Sequence, residues 1–410
     1  MGNGLKTSIF PALLLLSGLS FSNAQTPFYD LDVTISPETH RVFVEGDISF
    51  PSTMIEDGIL KLLHAPVVDS LDITSESLEH FESDTSGNGP STHTLSFSEG
   101  HPDEITIRIS YSVFIPTDHN INRLTPEWIE LNLDSFWVPI FSAIPHIRYE
   151  ITVDLGGDYT LMTGDNYRKT GEGQYIIEDA VPRRDIPFSA GMDLRAVEGT
   201  LSAAYSPLDS VNLENIVVKS DSILSFLRAY AGRAEDFYNP RIVVITPREE
   251  VGYSRKNYIA MSDVRSFTDQ YLSGYLAHEF SHYWFSNANF QTKHHWLTES
   301  FAEYLSMIYM REVYGEKWFS NDLEKKKTRL EEDPRKLAEF DSRPSFLALY
   351  YRGPLVLHAF EEFVGEQSFR KIIRAFIRED IRTNEELFDM IREELGTEAS
   401  EKLLEFHAAI

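Results

Sequence analysis

Residues 277–286 read Ala-His-Glu-Phe-Ser-His-Tyr-Trp-Phe-Ser and lie inside a stretch whose apolar residues recur at helical spacing. His278 and His282 are four residues apart, so on a helix their side chains project from one face. Two imidazoles in this arrangement can bind one zinc ion, each nitrogen at about 2.0–2.1 Å. Glu279 lies one position further round the helix and is our candidate general base. The alternative is a histidine pair on a buried helix beside a solvated glutamate.

A third candidate ligand follows after a short connection. Sixteen residues separate His282 from Glu299, and a second helical pattern begins at Trp296, which would bring Glu299 back toward the first helix. Two neutral imidazoles and one carboxylate leave a fourth position open for water, the arrangement of a catalytic zinc site rather than a structural one. We therefore predict one zinc ion held by His278, His282 and Glu299.

Three further side chains near this pattern need an interpretation. Glu303 lies one turn beyond Glu299 on the same face, where it could accept a hydrogen bond from the distal N–H of His278. An ordinary exposed carboxylate is the alternative for Glu303. His294 and His295 precede the second helix, and we expect both to be solvated because adjacent histidines in a polar connection usually lie at the surface.

The composition of the chain limits its class and its partners. With 410 residues, 42% of them hydrophobic, the chain is long enough for two folded domains. It contains no cysteine, so any metal must be bound by histidine and carboxylate side chains. Its formal net charge of −27 would repel a phosphate backbone, which argues against nucleic acid as a partner.

The first residues have the pattern of an export signal. Lys6 precedes an apolar run from Ile9 to Leu19, which ends in the small-residue sequence Ser22-Asn23-Ala24. This predicts a signal peptide at 1–24 and a secreted or periplasmic protein. The apolar run is shorter than the roughly 20 residues that span a bilayer, and we expect no transmembrane segment elsewhere.

The rest of the chain divides into two parts with different patterns. Residues 25–205 show short alternating stretches such as Tyr29–Ile35 and Arg41–Ile48, which predict an all-β domain, most simply a sandwich. Residues 206–410 begin with a small mixed segment and continue as a helical body. Helices are predicted at 211–231, 268–286, 297–314, 316–332, 354–364, 367–378, 384–395 and 398–408.

Three segments together resemble the gluzincin zinc aminopeptidases of the aminopeptidase N and leukotriene A4 hydrolase type. They are His278–Phe285, Trp296–Ala302 and Tyr350–Gly353, in the same order as in that family. The resemblance implies an α+β fold, with a β-sandwich-like domain followed by a thermolysin-like, mixed but mostly helical catalytic domain. It also implies zinc-dependent hydrolysis of peptides, in which Tyr350 donates a hydrogen bond to the oxyanion. A core aromatic role for Tyr350, or the same function for Tyr351, is the alternative.

The sequence departs from that family in the part that recognises the substrate. The Gly-Ala-Met-Glu-Asn element, whose glutamate binds the free α-amine in the family, is missing, and the family's edge strand laid over Gly252–Ile259 places Arg255 near that glutamate. Arg255 could bind a substrate carboxylate or be a surface arginine. The family's large C-terminal helical domain also looks missing or reduced. We therefore expect an aminopeptidase-like zinc peptidase, with an endopeptidase, a dipeptidase or a non-catalytic binding protein as alternatives.

Overall fold

The structure is a computed structural model and describes residues 26–85, 89–142, 146–232, 241–248, 252–255, 257–286 and 288–410. The signal peptide predicted at 1–24 lies outside these residues and stays a prediction. No helix within the described ranges is long and apolar enough to cross a membrane.

The N-terminal part is built from β-sheets that pack around one core. Along Phe28–Ser36 buried and exposed residues alternate, because one face of the strand meets the core and the other meets solvent. The large sheet and the small sheet contact each other through rings such as Phe50 and Phe97. In spatial order, the large sheet contains Asn166–Gly171, Gln174–Arg183, Ile147–Asp154, Phe28–Ser36, Arg41–Pro51, Glu104–Phe114 and Val68–Thr74. The small sheet contains Ile140–Phe141, Ile59–His64, Ser91–Phe97 and Leu78–Asp84.

Two more sheets lead from the N-terminal part into the metal-binding part. The bridging sheet contains Thr160–Met162, Phe188–Gly191, Trp128–Leu131 and Arg123–Leu124. The catalytic sheet contains Arg195–Glu198, Ser202–Ser206, Arg241–Ile245, Tyr258–Met261 and Tyr253–Arg255. Its three central strands are parallel, and Tyr253–Arg255 pairs antiparallel with Tyr258–Met261 at one edge. The catalytic sheet thus begins at Arg195, ahead of the boundary predicted between 205 and 206.

The C-terminal part is mostly helical and packs around a core of its own. Its helices are α1 (Leu213–Ala231), α2 (Asp269–Ser281), α3 (Trp296–Tyr314), α4 (Glu316–Arg329), α5 (Gly353–Val364), α6 (Glu366–Arg378), α7 (Asn384–Leu395) and α8 (Thr397–Ala409). Local sequence helps to set where a helix begins. At the start of α2, for example, the Thr268 side chain caps the helix by accepting a hydrogen bond from the Tyr271 N–H. The α+β fold predicted from the sequence is confirmed.

A buried ion pair joins the bridging sheet to the end of a catalytic strand. Arg248 follows the strand Arg241–Ile245, and its guanidinium donates to both carboxylate oxygens of Glu130 at 2.8–3.2 Å. Both side chains are buried, and the indole N–H of Trp128 also donates to Glu130 at 3.1 Å. A charge pair buried in this way is costly to break, because the remaining ion stays out of water.

We expect Glu130→Gln to lower the free energy of unfolding by about 3–5 kcal/mol, because it leaves Arg248 buried beside a neutral side chain. Urea denaturation of the purified protein measures this change. Glu45→Gln, which removes an exposed partner of Arg108, is the matched control and should change stability little. Equal losses in the two variants would contradict a stabilising role for the buried pair.

Candidate metal centre

Packing of α2 against α3 brings the three predicted ligands to one point. His278 lies in the last turn of α2, and His282 is the residue that ends the helix. Glu299 lies in the first turn of α3, after a connection that returns the chain to α2. The described residues contain one group of histidine and acidic side chains whose ligand atoms converge closely enough for a metal ion, and it consists of these three.

The distances between the ligand atoms suit a tetrahedral zinc ion. The Nε2 atoms of His278 and His282 are 3.1 Å apart, and the Oε2 atom of Glu299 lies 3.6 Å from the first and 3.5 Å from the second. Ligands about 2.0–2.1 Å from zinc lie about 3.3 Å from one another at the corners of a tetrahedron. The Oε2 atom of Glu299 is also buried without a hydrogen-bond partner, as expected of an atom that binds a metal. The three side chains therefore fit zinc.

Neighbouring groups fix the orientation of both imidazoles. The Nδ1 atom of His278 lies 2.9 Å from the Oε2 atom of Glu303, and the Nδ1 atom of His282 lies 3.3 Å from the Phe285 carbonyl oxygen. When each Nδ1–H donates to these acceptors, each Nε2 keeps its lone pair for a metal. Burial would raise the pKa of Glu303, but the nearby charge of Lys326 and the hydrogen bond from His278 lower it to about 2. Glu303 is thus a charged acceptor for His278, in the position the sequence predicted.

The expectation that His295 is solvated is wrong. Its side chain is buried, and its Nε2 atom lies 3.2 Å from the Oε1 atom of Glu299, so it orients the carboxylate ligand. His295 and Glu299 are four residues apart across the start of α3, and that spacing is the signal that could have identified the contact. His294 is part-buried, and its Nδ1 atom accepts the Asn384 N–H at 3.0 Å.

Glu279 lies beside the converging ligands in the wall of a cavity of about 560 Å³. Burial raises the pKa of Glu279 to about 7; His278 and Arg255 oppose this rise and the charge of Glu299 adds to it. A carboxylate with a pKa near neutrality can both accept and return a proton at neutral pH. The position and environment of Glu279 therefore suit a general base.

Tyr350 faces the same ligands from a π-helical turn, Ala348–Arg352. Its ring stacks on the His278 ring at a centroid distance of 5.4 Å. Burial and the negative charge of Glu299 raise the pKa of Tyr350 above its ordinary value, so the hydroxyl keeps its proton and can donate a hydrogen bond. Its neighbour Tyr351 instead lies 5.1 Å from the Lys326 ammonium group and does not line the cavity.

Gly353 allows the π-turn to lie against α3. A Cβ atom at this position would be 1.8 Å from the Ser300 Oγ atom and 2.3 Å from its Cβ atom. The same Ser300 hydroxyl donates to the Leu349 carbonyl oxygen at 2.7 Å, so α3 also satisfies a carbonyl of the widened turn. The glycine in Tyr350–Gly353 is therefore required by this close approach.

Arg255 lies in the cavity wall rather than on the outer surface. Its Nε atom donates to the Asp185 carboxylate at 2.7 Å, and its Nη2 atom lies 3.6 Å from the Asp134 carboxylate. Asp134 and Asp185 come from the N-terminal part, whereas Arg255 is on the edge strand of the catalytic sheet. Both parts of the chain therefore form the walls of the cavity.

With this geometry established, the chain can be compared with known proteins. Residues 253–408 match the model of the peptidase family M1 domain. The matched segment is similar to the domain of this family. It contains all three candidate ligands, Glu279 and Tyr350. A comparison of the sequence with curated proteins gave no match.

Solved structures share the fold of the matched segment and of the sheets before it. Leukotriene A4 hydrolase from yeast has a TM-score of 0.72 at 16% identity, over 92% of this chain and 66% of the hydrolase. An M1 zinc metallopeptidase from Deinococcus radiodurans has a TM-score of 0.67 at 14% identity, over 93% of this chain and 94% of that one. A mutant of the Deinococcus protein bound to a Tyr-Ser-Ala substrate has a TM-score of 0.65 at 15% identity, over 93% of this chain and 94% of the mutant chain.

We expect Gly353→Ala to impair both the stability and the activity of the protein. The added methyl group must displace Ser300 or the turn that carries Tyr350, and such overpacking costs about 1–3 kcal/mol. Thermal unfolding and peptide cleavage measure the two effects. Gly274→Ala is the matched control, because its Cβ atom would meet only the Met310 side chain at ordinary contact distance. A Gly353→Ala protein with normal stability and turnover would refute the packing argument.

Proposed function

We propose that the chain is a zinc metallopeptidase that hydrolyses peptide bonds and acts as an aminopeptidase. The observation that carries the proposal is the convergence of two oriented imidazoles and one carboxylate beside Glu279. Two histidines and one carboxylate form a zinc site that keeps a position open for catalysis. The match of residues 253–408 to peptidase family M1 supports the same chemistry.

Glu279 has the central role in the proposed hydrolysis. Zinc, when bound, supplies a Lewis acid that polarises the scissile carbonyl and acidifies water. The Glu279 carboxylate accepts a proton from the attacking water molecule as the water oxygen bonds to the carbonyl carbon. It then transfers this proton to the amine nitrogen when the carbon–nitrogen bond breaks. A pKa of about 7 lets the same group perform both transfers.

Tyr350 has the second role, which is to stabilise negative charge on the carbonyl oxygen. Its protonated hydroxyl faces the ligand side of the cavity and can donate a hydrogen bond to the oxygen as it becomes an oxyanion. Stacking of its ring on His278 keeps the hydroxyl near the ligands. One donor of this kind typically contributes a factor of about 100 to 1,000 in kcat.

Recognition of a free amino terminus is supported by the charged side chains in the wall of the same cavity. Asp134, Asp185 and Arg255 lie together in the cavity wall, so two acidic groups and one basic group meet the incoming substrate. Asp134 is the more accessible of the two acids, with 43% of its side chain exposed. An ammonium group can pair with that carboxylate, and the Deinococcus neighbour was solved with a peptide substrate.

The position of Arg255 favours one alternative. A guanidinium beside the substrate repels an ammonium group and attracts a carboxylate, so peptides without a free amine nearby would be accepted. That would make the protein an endopeptidase or a dipeptidase on the same zinc site. Arg255 already donates to Asp185, so this attraction is partly neutralised, and the aminopeptidase proposal is the stronger one.

We expect Glu279→Gln to retain zinc and lose at least about 100-fold in kcat, because an amide cannot accept the proton from water. Zinc content per chain, measured by mass spectrometry, and cleavage of one peptide are the two readouts. Glu312→Gln, which changes an exposed carboxylate on α3, is the control and should keep normal turnover. Near-normal turnover of Glu279→Gln would refute the role of this carboxylate.

Peptides with free and acetylated amino termini separate the proposed activities. We expect the purified protein to remove N-terminal residues stepwise from free peptides, to leave acetylated peptides intact and to lose activity with a chelator. Mass spectrometry of the product termini measures this outcome. Internal cuts in acetylated peptides would instead favour the endopeptidase, and no cleavage in either set would contradict the peptidase proposal.

A further inference from the structure

Lys326 is a buried cation behind the metal centre. It lies on α4 between two exposed lysines, Lys325 and Lys327, and only 7% of its side chain is exposed. It does not line the cavity, so it cannot contact a bound peptide there. A buried ammonium group is costly unless its protons are donated to acceptors, so its partners explain why it is tolerated.

Besides Asp322 on its own helix, 3.8 Å from its Nζ atom, Lys326 contacts two groups of the proposed catalytic site. Its Nζ atom lies 2.5 Å from the Oε1 atom of Glu303 and 3.0 Å from the Tyr350 carbonyl oxygen. The other oxygen of Glu303 contacts the Nδ1 atom of His278 at 2.9 Å. One ammonium group therefore connects the carboxylate that orients a metal ligand with the backbone that carries the proposed oxyanion donor.

Lys326 contacts the Tyr350 carbonyl oxygen where the backbone forms a π-helical turn. In the π-turn Ala348–Arg352 the usual helical hydrogen bonding is interrupted, and side chains of the neighbouring helices supply donors. Ser300 of α3 donates to the Leu349 carbonyl oxygen, and Lys326 of α4 donates to the next one. The turn is thus held from two sides, and the contact from α4 is the one that also reaches the carboxylate beside the metal ligands.

We propose that Lys326 is a positioning residue of the peptidase reaction, which holds the Tyr350 turn at a fixed place relative to the His278–Glu303 pair. The inference rests on the proposed function, since it assigns to Lys326 the placement of the Tyr350 hydroxyl against the oxyanion. Such placement matters because a hydrogen bond to developing charge requires a donor about 2.7–3.1 Å from the oxygen. Loss of Lys326 therefore weakens binding of the transition state more than binding of the substrate.

A double-mutant cycle of Lys326→Met and Tyr350→Phe tests this assignment. We expect Lys326→Met to lower kcat about 10- to 100-fold with KM changed less than about threefold, and Tyr350→Phe to lower kcat about 100-fold. In the Tyr350→Phe background, Lys326→Met should lower kcat by no more than about threefold, because that protein has no Tyr350 hydroxyl for Lys326 to position. Equal losses of kcat from Lys326→Met in both backgrounds would overturn the proposal.

Two matched variants separate positioning from general destabilisation. Lys327→Met removes the neighbouring exposed lysine, whose ammonium group donates to the Glu324 carboxylate at 3.3 Å, and should leave kcat and KM unchanged. Lys326→Arg keeps the charge and should recover part of the lost kcat. A normal Lys326→Met enzyme, or a Lys327→Met enzyme with the same loss, would overturn the proposal. If Lys326→Met does not fold, Lys326→Gln replaces it in the cycle, because an amide can still donate to one acceptor.

Zinc affinity, measured by competition with a chelator, gives a readout that does not depend on turnover. Positioning of Tyr350 predicts that Lys326→Met retains zinc with an affinity within about tenfold of the unchanged protein, whereas loss of a group that orients a metal ligand typically costs about 10- to 100-fold. A much larger loss of affinity would show that Lys326 acts through Glu303 and His278 alone, which would overturn its role toward Tyr350. Failure of the unchanged protein to cleave any peptide would contradict the proposed function itself and this inference with it.

Discussion

The packing of α2 on α3 is the interaction on which the candidate site depends. Each helix alone presents its metal-binding residues to solvent or to the core, and only their contact places the Glu299 carboxylate 3.5–3.6 Å from two imidazole nitrogens. When each Nδ1–H donates to its own acceptor, the Oε2 atom of Glu299 and the Nε2 lone pairs of the two imidazoles face one another. Such a cluster is stable when a cation occupies its centre, so helix packing and metal binding stabilise each other.

The remaining groups around this contact restrict the movement of the site's side chains and take no direct part in the chemistry. Glu303, His295 and the Phe285 carbonyl each fix one ring or carboxylate, and none of them contacts the ligand atom that faces the centre. The Tyr350 turn is restricted in the same way by Ser300 and Lys326. A site with few freely rotating side chains loses little entropy when the substrate reacts, which is the physical advantage of preorganisation.

The sequence predicted the parts of this site that depend on local spacing. The four-residue separation of His278 and His282 fixes a common helix face, and α3 was predicted at 297–314 against Trp296–Tyr314 in the structure. Contacts between distant elements could not be predicted in this way. Lys326 lies in the charged stretch Glu324–Arg329, where it looks like any solvated lysine, and only the fold shows that it points inward. His295 is intermediate, since its spacing from Glu299 was visible but its burial was not.

Because the two parts of the chain form different walls of the cavity, substrate specificity can change separately from the groups that carry out hydrolysis. The metal ligands, Glu279 and Tyr350 all come from residues after 252, whereas Asp134 and Asp185 reach the cavity from the sheets before Arg195. Substitutions in those N-terminal loops can alter which peptide end is accepted while the hydrolytic machinery stays unchanged. Laboratory evolution aimed at a new substrate range can therefore be confined to a region remote in sequence from every group that performs the bond cleavage.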